Sequence, residues 1–195
     1  MRLVVGITGA TGAIYGVRML ERLREAGVET HLVISRWGMR TLQHETAYSR
    51  AQVEALASEV YAANDLGAAI ASGSFPVDGM AIVPCSARTL GVIAHGSGEG
   101  LLHRAADVTL KERRPLLLAV REAPLSAIHL ENMLTLARLG VIVMPPMPAF
   151  YTHPRTLDET VDHTVARMLD QFRIDVPGAP RWVGEMAVGQ GRDED

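Results

Sequence analysis

Five short runs of this 195-residue chain, residues 3–7, 29–34, 80–83, 115–120 and 141–144, are apolar rather than alternating, and segments of helical period separate them. A strand that is apolar on both sides must be covered on both sides, and helices placed between strands join them in parallel. The order therefore confines the chain to an α/β fold: a three-layer, flavodoxin-like or Rossmann-like parallel sheet with helices on both faces. Helical pattern falls at residues 13–26, 39–45, 52–61, 87–94, 101–113, 127–139 and 157–172, the first with Val17, Leu20 and Leu23 on one face and closed by Gly27. There is no repeat and no internal linker, so residues 1–174 read as a single domain. Residues 175–195, rich in Pro, Gly and charge, read as a C-terminal arm or tail.

A net charge of −3 favours neither nucleic acid nor a membrane surface as partner. No apolar run approaches the ~18 residues of a membrane span. The N-terminal apolar run is broken by Gly6, Gly9 and Gly12, which suits a buried strand entering a turn better than a signal segment. The single cysteine, Cys85, allows no internal disulfide and points to a reducing, cytoplasmic setting. No His or Cys spacing supports a metal site.

In open α/β sheets, ligands lie beyond the carboxyl ends of the strands. The residues just past each run therefore make up the candidate site: Thr8-Gly9-Ala10-Thr11-Gly12, then Ser35, then Pro84-Cys85-Ser86-Ala87-Arg88-Thr89, then Arg121-Glu122, then Pro145 through Tyr151. The glycines are spaced Gly-x-x-Gly-x-x-Gly, and the second run ends at Ser35 instead of an acid that could hold a ribose diol. A mononucleotide is favoured over a dinucleotide, although a tight turn alone would also require such glycines. Ser86 and Thr89 open a helix directly after a strand, where free N–H groups and hydroxyls can hold a phosphate, and where Ser86 also serves as an N-cap. Cys85 reads as a packing residue, and Glu45 by default as a solvated acid.

The chain keeps one lysine, Lys111, among eighteen arginines. Arg104, Asp107 and Lys111 stand at i, i+3, i+7 and share one helix face. They form either a solvent ladder in which Asp107 pairs with both cations, or a clamp for a phosphate dianion with Lys111 near the helix C-terminus. Arg121-Glu122 ends an apolar strand at the expected crevice, where an arginine can fix a cofactor and a carboxylate beside apolar surface can move protons.

With these residues in place, the chain closely resembles the UbiX-type flavin prenyltransferases over about residues 2–182. The likeness is carried by Gly6-Ile-Thr-Gly-Ala-Thr-Gly12, Pro84-Cys-Ser-x-x-Thr89, Arg104-Ala-Ala-Asp-Val-x-Leu-Lys-Glu-Arg, Arg121-Glu122, His129-Leu-Glu-Asn-Met133 and Pro145-Pro-Met-Pro-Ala-Phe-Tyr151. His44-Glu-Thr46, Ala71-Ser-Gly-Ser-Phe75 and Leu169-Asp-Gln-Phe172 are most similar to the B component of phenolic (hydroxyarylic) acid decarboxylases. The resemblance implies a flavin-binding domain assembled as a homododecamer with sites shared between subunits. It also implies a metal-free reaction that turns reduced FMN and dimethylallyl phosphate into prenylated FMN, which then serves a UbiD-type decarboxylase of aromatic acids.

By the same resemblance Gly9, Ala10, Thr11, Ser35, Ser86, Thr89 and Arg121 would hold FMN. Arg104, Lys111, Tyr151 and Arg167 would hold the donor phosphate, the last two from a neighbouring subunit. Glu45 and Glu122 would handle protons, and Trp182 would close over the prenyl pocket. Thr11 stands where many relatives carry serine; its extra methyl restricts χ1 in a residue counted among the catalytic ones. The competing activities are an FMN-dependent decarboxylase of the Cys type and a non-catalytic flavin-binding subunit of an aromatic acid decarboxylase.

Overall fold

Residues 1–184 are described by the computed structural model; the remainder of the expected C-terminal tail, 185–195, lies outside the described residues. Six strands, β1 (Arg2–Ile7), β2 (Glu29–Ile34), β3 (Glu59–Tyr61), β4 (Gly79–Cys85), β5 (Leu116–Val120) and β6 (Ile142–Val143), pair in parallel in the order β3-β2-β1-β4-β5-β6. Seven α-helices lie between and after them among the described residues: α1 (Ala13–Glu25), α2 (Arg36–Glu45), α3 (Arg50–Glu54), α4 (Ala87–His95), α5 (Leu101–Lys111), α6 (Ala127–Arg138) and, past the last strand, α7 (Leu157–Asp170). This is the doubly wound α/β sheet that the apolar runs demanded. Its winding reverses between β1 and β4, the topological switch point.

Successive strand residues feed two separate cores. Leu3, Val5 and Ile7 of β1 and Ala81 and Val83 of β4 pack under α1, α2, α3 and α7. Val4 of β1 and Met80, Ile82 and Cys85 of β4 pack under α4, α5 and α6. Both faces are sealed, which is why these strands carry no polar stripe. Among the described residues, no helix is long and apolar enough to cross a membrane.

The segment 52–61 departs from the expected helix. Helix α3 ends at Glu54, and Glu59–Tyr61 becomes a sixth strand on the sheet edge. A reciprocal capping box of Ser49 and Gln52 starts the short helix. Ser58 and Thr30 then exchange backbone-to-hydroxyl hydrogen bonds at 3.1 Å in each direction, drawing the chain alongside β2. Tertiary pairing overrides a local pattern too short to hold a helix by itself. Helix α2 also starts earlier than its periodicity suggests, because Ser35 caps it by accepting from Gly38 N at 2.9 Å.

The close fit of α1 to the sheet depends on Gly16. A Cβ there would lie 2.4 Å from Val83 O and 2.9 Å from Ile7 Cδ1. Gly16→Ala is therefore expected to push α1 off the carboxyl end of the sheet and to cost about 1–3 kcal/mol, measured by chemical denaturation; an unchanged midpoint would show that the helix has room to spare.

Candidate active site

The crevice at the switch point is held together by Thr8, which is buried at 2% exposure. Its hydroxyl donates to Pro84 O at 2.8 Å and accepts from Ser86 N at 2.8 Å, while its own N–H donates to Pro84 O at 3.2 Å. One side chain thus joins the ends of β1 and β4, just where their connections part to opposite sides. The sequence places Thr8 among the residues just past the first apolar run but gives it no role of its own; the tie to β4 shows only in the fold.

On the β4 side, Ser86 caps α4. Its Oγ accepts from Thr89 N at 3.2 Å and donates to Thr89 Oγ1 at 3.0 Å, so both hydroxyls stand over the helix N-terminus. Cys85 beside them is fully buried, and burial pushes its thiol well above the ordinary cysteine range. It is packing, as its sequence context indicated, and no nucleophile. On the β1 side, the backbone N–H groups of Gly9, Ala10 and Thr11 donate to no protein group among the described residues. A Cβ at Gly9 would fall 2.5 Å from Trp37 Cβ, so only glycine allows the loop to lie this close to α2.

Glu45 is no solvated acid. Gly12, at φ 95°, starts α1 without a side-chain cap of its own. Glu45 Oε2, arriving from the end of α2, accepts from Gly12 N at 2.8 Å and Ala13 N at 3.0 Å. Partial burial works against its charge, but the Thr11 hydroxyl and the Ala13 and Gly12 N–H groups outweigh it and hold the carboxyl below its ordinary range. The positive end of α1 adds to the same effect. Arg121 and Glu122 follow β5 at this end of the sheet; Arg121 N donates to Cys85 O at 3.0 Å, and its guanidinium pairs with no carboxylate among the described residues. Glu122 is exposed in the single chain, without the apolar cover anticipated for it, and accepts only from Ala123 N at 3.2 Å.

The Arg104–Lys111 pair lies elsewhere. Helix α5 starts near the carboxyl end, where Leu101 N donates to Ala63 O at 2.8 Å, and runs to the amino end of the sheet. In its first turn Arg104 donates to Asp107 at 2.7 Å and to Ala71 O at 3.1 Å, and at its far end Lys111 pairs with Glu112. Asp107 thus holds one cation, not two, because Lys111 turns to its own neighbour. Arg114, which no sequence pattern singled out, pins the adjoining loop by donating to Gly73 O at 2.9 Å and Phe75 O at 3.0 Å. Lys111 precedes β5 and Arg121 follows it. The five strand residues between them, at about 3.3 Å each, separate the two by roughly 16 Å or more within one chain.

A third group sits on α7. The Tyr151 hydroxyl is 3.4 Å from His163 Nε2, and the Trp182 ring meets Tyr151 edge-on at 5.6 Å. Arg167 and Arg181 both donate to Asp170. The expected site residues therefore form three groups: Thr11, Ser35, Glu45, Ser86, Thr89, Arg121 and Glu122 at the crevice; Arg104 and Lys111 along α5, with Lys111 at its far end; and Arg167 on α7, with Tyr151 and Trp182 packed against that helix at His163. Among the described residues, no three His, Cys, Asp or Glu side chains come together in a manner that could hold a metal ion.

The crevice fits a flavin mononucleotide. Unpaired N–H groups at Gly9–Thr11 and hydroxyls at two helix N-termini suit a phosphate and a polar ring edge, and an unpaired arginine stands opposite. A family model described as Flavoprotein matches residues 1–170. A probable UbiX-like flavin prenyltransferase of Streptomyces sp. (strain D7) is 61% identical over 189 residues, covering 96% of this chain and 94% of the relative. The structure of a dodecameric FMN-dependent UbiX-like decarboxylase from Escherichia coli O157:H7 superposes with a TM-score of 0.93 at 56% identity, covering 94% of this chain and all of that one. That of AnUbiX (PadA1) in complex with FMN and dimethylallyl pyrophosphate gives 0.94 at 49% identity, covering 95% and 98%.

Thr8→Val keeps the shape of the side chain but leaves Pro84 O without the hydroxyl donor and Ser86 N unpaired. A loss of about 1–3 kcal/mol in stability, together with weaker FMN binding by fluorescence titration, is the expected outcome; full FMN affinity would show that the staple does not shape the crevice.

Proposed function

We infer the reaction from the family: this chain belongs to the UbiX-like flavin prenyltransferases, and it transfers the dimethylallyl group of dimethylallyl phosphate to reduced FMN. Phosphate leaves as its C–O bond breaks and the bond to flavin N5 forms; the prenyl C=C then adds to C6, taking up one proton while C6 gives one up, which closes a ring. The prenylated FMN then passes to a UbiD-type decarboxylase of aromatic acids. The buried, unreactive cysteine suits a reducing cytoplasm.

The observation that carries this reading is the open row of N–H groups at Gly9–Thr11 beside a fixed, ionised Glu45. Ser35, Ser86, Thr89 and Arg121 complete the flavin site. A carboxylate held below its ordinary range accepts a proton only from an acidic donor, and a nitrogen being alkylated becomes one. Thr11 fixes that carboxylate from the same loop. Phosphate is a poor leaving group unless its charge is neutralised in a site that excludes water, which Arg104, Lys111, Tyr151 and Arg167 supply; Glu122 handles the proton at the departing phosphate. The prenyl chain needs apolar walls, and Trp182 is one.

Strand β5 keeps Lys111 apart from Arg121 and Glu122 within one chain, so the working site takes Lys111, with Arg104 on the same helix, from one subunit and Arg121 and Glu122 from another, within a homododecamer. Large exposed apolar side chains support such an assembly: Ile128, Leu130 and Leu134 on α6, and Met147, Phe150 and Leu157 around the last loop, are each at least half exposed.

Anaerobic incubation with reduced FMN and dimethylallyl phosphate, followed by mass spectrometry of the flavin, is expected to show a gain of one isoprene unit; no gain would exclude the prenyltransferase. Lys111→Met should retain FMN and lose turnover. Co-assembling inactive Lys111→Met and Glu122→Gln subunits in equal amounts should restore activity to about a quarter of the sites, whereas a site built within one chain would stay silent.

A further inference from the structure

We propose that Asp170 is a positioning residue for the donor-phosphate side of the reaction, fixing Arg167 and the Trp182 arm in one arrangement. The inference rests on the reading that Arg167 and Tyr151 receive the donor phosphate, and extends it to a residue that touches neither substrate.

Asp170 closes α7 with its side chain only 18% exposed, and its Oδ2 accepts from both Arg167 Nη1 and Arg181 Nη1. Burial opposes its charge, yet Arg181 and Arg167 together hold the carboxyl below the ordinary aspartate range. Arg181 reaches on to Asp175 Oδ1 at 3.3 Å, a rim carboxylate 83% exposed. Two guanidinium groups on one oxygen repel each other, and a carboxylate between them is what makes their approach favourable. Arg167 keeps its Nε and Nη2 groups free of protein partners among the described residues, so one edge of its fork is anchored while the other can face a phosphate.

Beyond Val176, which still packs against the core under α7, the arm is held mainly by side chains. Phe172 and Ile174 are buried and pin the chain just past α7. From Asp175 onward, the single backbone-to-backbone bond among the described residues is Ala179 N to Val176 O at 3.2 Å. Residues 180–184 are held by side chains: Arg181 on Asp170 and Asp175, and Trp182 edge-on to Tyr151. Tyr151 in turn leans on His163, four residues before Arg167 on α7 and 6% exposed, with Nδ1 unpartnered. Burial first, and then the charges of Arg167 and Arg181, keep that imidazole below its ordinary pKa, so it adds no third cation. One carboxylate therefore sets the guanidinium, the indole and, through the indole, the phenol.

The test uses full-length Asp170→Asn, Asp170→Glu, Arg181→Met and Arg167→Met proteins. It reads KM for dimethylallyl phosphate, FMN affinity, and the emission of Trp182, taken as the difference between each protein and its Trp182→Phe counterpart. Asp170→Asn should raise KM roughly tenfold, leave FMN affinity unchanged and red-shift the Trp182 emission, with Asp170→Glu intermediate. Arg181→Met, changed at the surface where folding is not at stake, should reproduce the emission shift and part of the KM effect. A raised KM in Arg167→Met with KM and emission unaltered in Asp170→Asn overturns this inference alone. An unaltered KM in Arg167→Met overturns the donor-phosphate reading beneath it. Parallel loss of FMN affinity and KM in Asp170→Asn would make Asp170 a structural residue only.

Discussion

The Thr8 hydroxyl, shared between Pro84 O and Ser86 N, is the contact on which the crevice depends. A doubly wound sheet must part its connections somewhere, and here β1 leads to one side and β4 to the other. Left to itself, that parting would leave buried backbone groups unpaired at the mouth of the site. A single threonine satisfies them and keeps the first glycine loop level with the α4 N-terminus. The close approaches of Gly9 to Trp37 and of Gly16 to Val83 then compact the same end of the sheet.

Charge is divided with the same economy. The crevice has its anion, Glu45, tied to the start of α1, while three cations elsewhere in the chain each stand beside a carboxylate: Arg104 with Asp107, Lys111 with Glu112, Arg167 with Asp170. Arg121, at the crevice, has no such carboxylate partner among the described residues, so the free guanidinium stands at the carboxyl end of the sheet and the paired cations stand away from it. The exposed apolar residues of α6 and of the last loop lie uncovered in the single chain, the kind of surface that burial against another protein stabilises.

The strongly patterned elements were legible in the sequence. The apolar runs marked β1, β2, β4, β5 and β6, and Gly27 marked the end of α1, because burial on both faces and a left-handed turn impose residue types that show in one dimension. The edge strand β3 was not legible: Val60 and Tyr61 form a strand through the Ser58–Thr30 exchange, a contact between residues 28 apart. Lys111 stood out as a lone lysine beside Arg104, yet its partner is Glu112 and its place is the far end of the sheet. Spacing along a helix gives a face; it does not say which end of the molecule that face reaches.

The sequence by itself determined the layered parallel sheet, the glycine-lined first loop and the set of hydroxyl, acidic and basic residues at the strand ends, because local propensity and two-sided burial act residue by residue. Only the tertiary structure decided which of those residues meet. Glu45 became a cap of α1 instead of a solvated acid, Thr8 became the tie between β1 and β4, and Lys111 was set at the opposite end of β5 from Arg121 and Glu122. Each of these outcomes depends on contacts between distant parts of the chain, fixed by the order in which strands pair, and that order is a property of the whole fold.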